Sequence, residues 1–199
     1  MSDQNKWDQK TAGWTLLVSA VASGLLMLQH PSGMEHGSVI TPIVHGGLQA
    51  LMLVQVAAII HIVRPIFGSL MITLALTAFL AGQSAGIGAA TINGFVVPAM
   101  GSYADASLGQ DIARFAWEIN QALANFGAVA IGSAVTLFGL AFRKVAPMYL
   151  VISGIAIGMI TAIPIAAGLL PMDLHGALFV YLAQWSWLAL LGTWSARVS

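Results

Sequence analysis

Three ionisable residues, His45, Glu118 and His175, each lie near the start of a long apolar segment. Two imidazoles and one carboxylate form a competent ligand set for Zn²⁺ or another divalent metal, with one position left for water. The two histidines would also suit axial ligation of a b-type haem from facing helices. A hydrogen-bonded polar cluster that only joins helices is the third alternative. These residues alone leave all three open.

A second set of polar residues follows helical spacing. At about 100° per residue, Arg114, Glu118, Gln121 and Asn125 fall within about 60° of one another on an α-helix. Polar groups are unfavourable in a membrane and normally face a bundle interior or a wet cavity. The stripe therefore predicts a binding site for a small solute or ion, to which Gln49 adds an amide. Arg114 and Glu118 also have the i, i+4 spacing of an ion pair.

The segment before His45 holds further candidate metal ligands. His30, Glu35 and His36 occur between Gln29 and Pro42, in a stretch dense in turn residues. We expect them to be outer contributors to the same site.

His45 and His175 stand in similar local sequences. Each follows a proline within a few residues, precedes Gly-small-Leu, and is followed about ten residues later by a glutamine, Gln55 or Gln184. This pattern indicates either a short internal repeat or a chance match.

The composition places the chain among membrane proteins. Hydrophobic residues make up 58% of it and charged residues 7%, and the mean hydropathy is +0.87. The absence of cysteine excludes disulfides, thiolate catalysis, iron–sulfur ligation and c-type haem attachment. No basic patch indicates nucleic acid as a partner. No catalytic motif is present, so an enzymatic activity is neither predicted nor excluded.

The apolar segments predict an all-α integral membrane bundle of about six helices, forming a single domain over residues 1–199. The connection from Ala89 to Gln110 is expected to be an outer loop or a re-entrant segment. Gly154 and Gly158 form a small-residue face that allows another helix to approach closely. The predicted spans are about 11–29, 43–63, 66–89, 111–142, 147–170 and 174–194.

The distribution of basic residues predicts the orientation. With six spans, every lysine and arginine except Arg114 falls on one side, which is the cytoplasmic side under the positive-inside rule. Both termini are then cytoplasmic in a plasma (inner) membrane, and His45, Glu118 and His175 lie at similar depth in the outer half.

The leading hypothesis is therefore a multi-pass membrane protein with an outer-facing polar pocket that binds or transports a small solute or ion. The alternatives are a metal- or haem-containing redox protein or enzyme that uses His45 and His175, and a structural or assembly subunit of a membrane complex. Besides lipid, the expected partners are the solute and either a second copy or another membrane protein.

Overall fold

The computed structural model describes residues 3–30, 40–100 and 106–198, and all regular secondary structure in these ranges is helical. Six helical segments are long and apolar enough to cross a membrane, so the predicted number of helices that could span one is confirmed. The helices are α1 (Asp3–Met27), α2 (Ile40–Val63), α3 (Leu70–Thr91) with its continuation α4 (Val97–Met100), α5 (Ala106–Ala141), α6 (Met148–Ala166) and α7 (Leu174–Val198).

Large apolar side chains cover the outside of the bundle. Val18, Leu53, Leu70, Ile152 and Phe179 are each more than half exposed. Such a surface is unfavourable in water but suits contact with lipid hydrocarbon. These exposed faces and the six long helices suggest a multi-pass membrane protein.

The six spans form a closed ring in chain order. Each span packs on the next, with α3 against α5, and α7 returns to pack on α1. The predicted small-residue face on α6 is confirmed. Gly158 lies against Thr136 and Gly132 of α5 with no room for a methyl group, and Gly154 lies against the Trp187 ring of α7.

Contacts between helix ends place most of the positive charge at one end of the ring. The Gln9 side-chain amide donates to the Ile62 carbonyl at 3.1 Å, which joins the start of α1 to the end of α2. The rings of Phe142 and Trp194, 6.0 Å apart, join the ends of α5 and α7. We call this the basic end, because it carries six of the seven lysines and arginines: Lys6, Lys10, Arg64, Arg143, Lys144 and Arg197.

The half of the bundle next to the basic end has a packed aromatic core. The Phe138 ring stacks on Phe142 and on Trp187, with centroids 5.9 and 6.4 Å apart. The Trp187 indole N–H donates to the Leu150 carbonyl at 3.0 Å, which satisfies its polar group. We call Phe138, Phe142 and Trp187 the aromatic core.

Two buried glutamines join helices at the middle of the bundle. Gln55 of α2 donates to the Ser23 hydroxyl of α1 at 3.0 Å and accepts a hydrogen bond from Gln83 of α3 at 3.1 Å. Gln184 of α7 donates to the Ala128 carbonyl of α5 at 2.9 Å and to the Thr161 hydroxyl of α6 at 3.2 Å. Each glutamine therefore joins three helices.

The stretch from Ala89 to Gln110 is helical up to Met100 and again from Ala106, so the prediction of a long loop is wrong for these residues, whereas the re-entrant alternative stays a prediction. Gly94 and Pro98 fall where the helix changes pitch. A π-helical turn, Ile92–Val96, separates α3 from α4, and Pro98 follows it. A proline removes one backbone donor, which an already irregular turn accommodates without breaking the helix.

A candidate ligand cavity

A cavity of about 730 Å³ opens at the end of the bundle opposite the basic end. His45, on its wall, is roughly 28 Å along α2 from Arg64 at 1.5 Å per residue. Side chains of α2, α3, α5 and α7 form most of the wall. The sequence predicted a pocket between the second, fourth and sixth spans (α2, α5 and α7), and the structure adds α3 to these. On these four helices, the lining residues that lie nearest the basic end are Met52, Gly86, Ala124 and Trp185.

The π-helical turn brings Asn93 into the cavity wall. Asn93 is 6% exposed, and its Oδ1 accepts no hydrogen bond from any residue that the structure describes. An added residue in one turn changes the direction in which side chains project, and such turns are frequent at functional sites. The next residue, Gly94, lies directly against the Cβ of His45. The turn therefore places Asn93 in the cavity wall, one residue before the contact with His45.

His45 is held in one orientation on the cavity wall. It is 2% exposed, and its Nδ1 lies 2.8 Å from the Thr41 carbonyl oxygen. Because a carbonyl only accepts hydrogen bonds, Nδ1 carries the proton. The His30 ring meets the His45 ring edge to face, with centroids 4.8 Å apart. His30, predicted as an outer contributor, thus lines the cavity beside His45.

The α5 helix turns a different face to the cavity than the predicted stripe. Arg114 and Gln121 line the cavity, whereas Glu118 and Asn125 do not. At about 100° per residue, the lining face is centred roughly 70° from the stripe. It includes Asn120, which is 6% exposed and was not among the predicted residues. The predicted stripe includes Glu118, whereas the charge of this residue is favoured at an exposed position rather than in an apolar cavity.

The predicted ligand-binding residues outside the cavity are engaged elsewhere or exposed. Glu118 is exposed. The Asn125 amide donates to the carbonyl of Gln121, one turn earlier, at 2.9 Å. The Gln49 amide donates to the Thr91 hydroxyl at 3.0 Å and joins α2 to α3.

His175 is exposed and does not line the cavity. Asp173 lines it instead, and its Oδ1 accepts the Gly176 backbone N–H at 2.9 Å. Asp173 thus caps the first turn of α7. The resemblance between the His45 and His175 sequences therefore extends to their buried glutamines but not to the positions of the histidines.

The structure does not bring His45, Glu118 and His175 together. Within residues 3–30, 40–100 and 106–198, no three His, Asp or Glu side chains form a group that could hold a metal ion. Axial haem ligation by His45 and His175 also lacks support, since only His45 lines the cavity. The remaining candidate ligands, Glu35 and His36, lie outside the described residues.

Aromatic rings supply much of the remaining wall. The Tyr181 and Trp185 rings of α7 are nearly parallel, with centroids 5.5 Å apart, and Trp117 of α5 also lines the cavity. Mostly apolar walls with a few placed polar groups are typical of pockets for small organic molecules, and the volume lies within their usual range of about 300 to 1,000 Å³. The arrangement is suited to holding such a molecule.

No protein-family model, curated protein or solved structure matches this chain.

Proposed function

We propose that this protein is a multi-pass plasma (inner) membrane protein that binds a small organic solute in its outer cavity. The observation that carries the proposal is the mostly apolar cavity of about 730 Å³, whose wall includes the largely buried Asn93 amide. The Asn93 Oδ1 accepts no hydrogen bond from a described residue, and a buried acceptor without a partner is unfavourable by about 1–3 kcal/mol. Asn120 adds a second, largely buried amide on the facing helix.

The orientation of the cavity follows from the charge distribution. Lysine and arginine are enriched in the cytoplasmic loops of membrane proteins. We therefore assign the basic end and both termini to the cytoplasm, and the cavity to the outer side.

The packing beneath the cavity favours binding over an open pathway. Phe138, Phe142 and Trp187 are each at most 2% exposed and fill the space between the cavity and the basic end. A solute in the cavity does not reach the cytoplasm unless these helices move. Transport therefore requires a second arrangement of the bundle, whereas binding does not.

A cavity-filling variant tests the proposal. Ala113 lines the cavity, and Ala122 lies exposed on the same helix. The purified protein in lipid nanodiscs would be screened by thermal unfolding against organic acids, amides, amines and zwitterions. We expect at least one compound to raise the melting temperature of the wild type and of Ala122→Trp but not of Ala113→Trp. If no compound does so, the protein is not a binder of this kind, and a structural role is favoured.

A further inference from the structure

We infer that the solute is an organic anion with an apolar body, and that Arg114 binds its carboxylate. The inference rests on the proposed function and adds a ligand class and a specificity-determining residue.

The position of Arg114 separates it from the other basic residues. All seven lysines and arginines fall in the described ranges, and Arg114 is the one that is not at the basic end. Its side chain lines the cavity and makes no ion pair with any described residue. The predicted pair with Glu118 is therefore not formed. A guanidinium group can donate two parallel hydrogen bonds to one carboxylate, which makes arginine suited to this group.

The described acidic residues near the cavity form no ion pair with Arg114. Asp173 is the one carboxylate among the described lining residues, and its Oδ1 is held by the Gly176 backbone N–H at 2.9 Å. The positive end of the α7 helix dipole stabilises its charge at this position. Glu118 is exposed and lies outside the lining. Among the described lining residues, Arg114 is therefore the one lysine or arginine, and it forms no ion pair with them.

The interior of the cavity suits an uncharged body. Trp117, Tyr181 and Trp185 supply aromatic surface, and Ala124 and Met52 supply aliphatic surface below it. Burying an apolar group against these side chains is favourable, by about 25 cal/mol per Å². An amphipathic anion is thus matched at both ends, by Arg114 at the mouth and by the apolar wall within.

Matched probes test the charge preference. Equilibrium dialysis against protein in nanodiscs, corrected with empty nanodiscs, would compare 3-phenylpropanoate with 3-phenylpropanamide, and decanoate with decanamide. The first pair represents a water-soluble aromatic acid and the second a lipid-derived one. We expect at least one acid to bind about tenfold more tightly than its amide, because only the acid pairs with Arg114.

Variants assign the preference to Arg114. We expect Arg114→Gln to lower acid affinity about tenfold and leave amide affinity unchanged, and Arg114→Lys to retain most of the preference. Unchanged amide binding shows that Arg114→Gln is folded. The control is Arg143→Gln, which removes the same charge from an exposed position at the basic end and should change neither affinity.

Four results would overturn the inference. They are equal binding of acid and amide, absence of saturable binding by both acids, loss of acid affinity in Arg143→Gln equal to that in Arg114→Gln, and tighter binding of phenylalanine than of 3-phenylpropanoate. The last result would show that the ammonium group of a zwitterion pairs with Asp173 while its carboxylate pairs with Arg114. Solute stabilisation that Ala113→Trp abolishes would still support the proposed function in each case.

Discussion

Gly94 lies against the Cβ of His45 so closely that no side chain fits between the two residues. The contact joins the π-helical turn at the end of α3 to the wall formed by α2. It fixes the position of Asn93, the neighbour of Gly94, relative to the buried His45 ring. The geometry of the cavity thus depends on a glycine.

The first prediction concerns this contact. Gly94→Ala places a methyl group into the His45 side chain and should lower the free energy of unfolding by about 1–3 kcal/mol, as overpacking does. Gly46→Ala is the control. Its added carbon meets the Phe95 ring at 3.5 Å, an ordinary contact, and alanine favours helix over glycine. Thermal unfolding should show a lower melting temperature for Gly94→Ala alone, and equal melting temperatures would show that the contact is not restrictive.

The second prediction separates stability from binding at Asn93. Asn93→Leu removes a buried carbonyl that has no partner among the described residues, so the free energy of unfolding should stay the same or rise by about 1 kcal/mol. Solute affinity should fall about tenfold. Asn125→Leu, on α5 outside the cavity, should leave affinity unchanged. Unaltered solute binding by Asn93→Leu would exclude a role for this amide.

The third prediction concerns the glutamine at the middle of the bundle. Gln55→Leu removes two buried hydrogen bonds, one to Ser23 and one to Gln83. Such bonds between membrane helices contribute on average about 0.6 kcal/mol each, so we expect a loss of about 1–2 kcal/mol of unfolding free energy. Gln49→Leu removes one bond, to Thr91, and should have a smaller effect. Reversible unfolding in mixed micelles measures both, and an equal loss would contradict this ranking.

The fourth prediction tests the orientation. The chain contains no cysteine, so a single introduced cysteine is labelled uniquely. Asp111 at the cavity end and Ser69 near the basic end are both exposed. In intact spheroplasts, a membrane-impermeant maleimide should label Asp111→Cys at once and Ser69→Cys only after permeabilisation. The reverse order would place the cavity in the cytoplasm.

Segment length, apolar content and charge were sufficient to predict six helices that could span a membrane, because length and apolar content decide whether a helix can cross hydrocarbon. They also predicted the grouping of basic residues at one end. The segment from Ala89 to Gln110 was misjudged because Gly94 and Pro98 are typical of turns, whereas here a π-helical turn keeps the helix continuous. Single π-helical turns inside α-helices are rare, so the sequence did not suggest one here.

The cavity was only partly predictable. Arg114, Gln121 and His45 were singled out as polar groups on otherwise apolar helices, and all three line the cavity. Asn93 and Asn120 were missed. Asn93 lies in the segment that was predicted to be a loop. Asn120 is adjacent to Gln121 in sequence, but it falls outside the predicted stripe on the helix. The exact rotation of α5 is set by its packing on α3 and α6, which helical periodicity alone does not determine.

The most direct test of solute binding is an enrichment measurement on the purified protein. Wild-type protein, Ala113→Trp and Ala122→Trp in nanodiscs would each be dialysed against a small-molecule extract of the cells that produce them, and the retained compounds quantified by mass spectrometry. We predict that at least one organic compound is enriched by the wild type and by Ala122→Trp, and not by Ala113→Trp. Equal retention of every compound by all three proteins would contradict a solute-binding cavity.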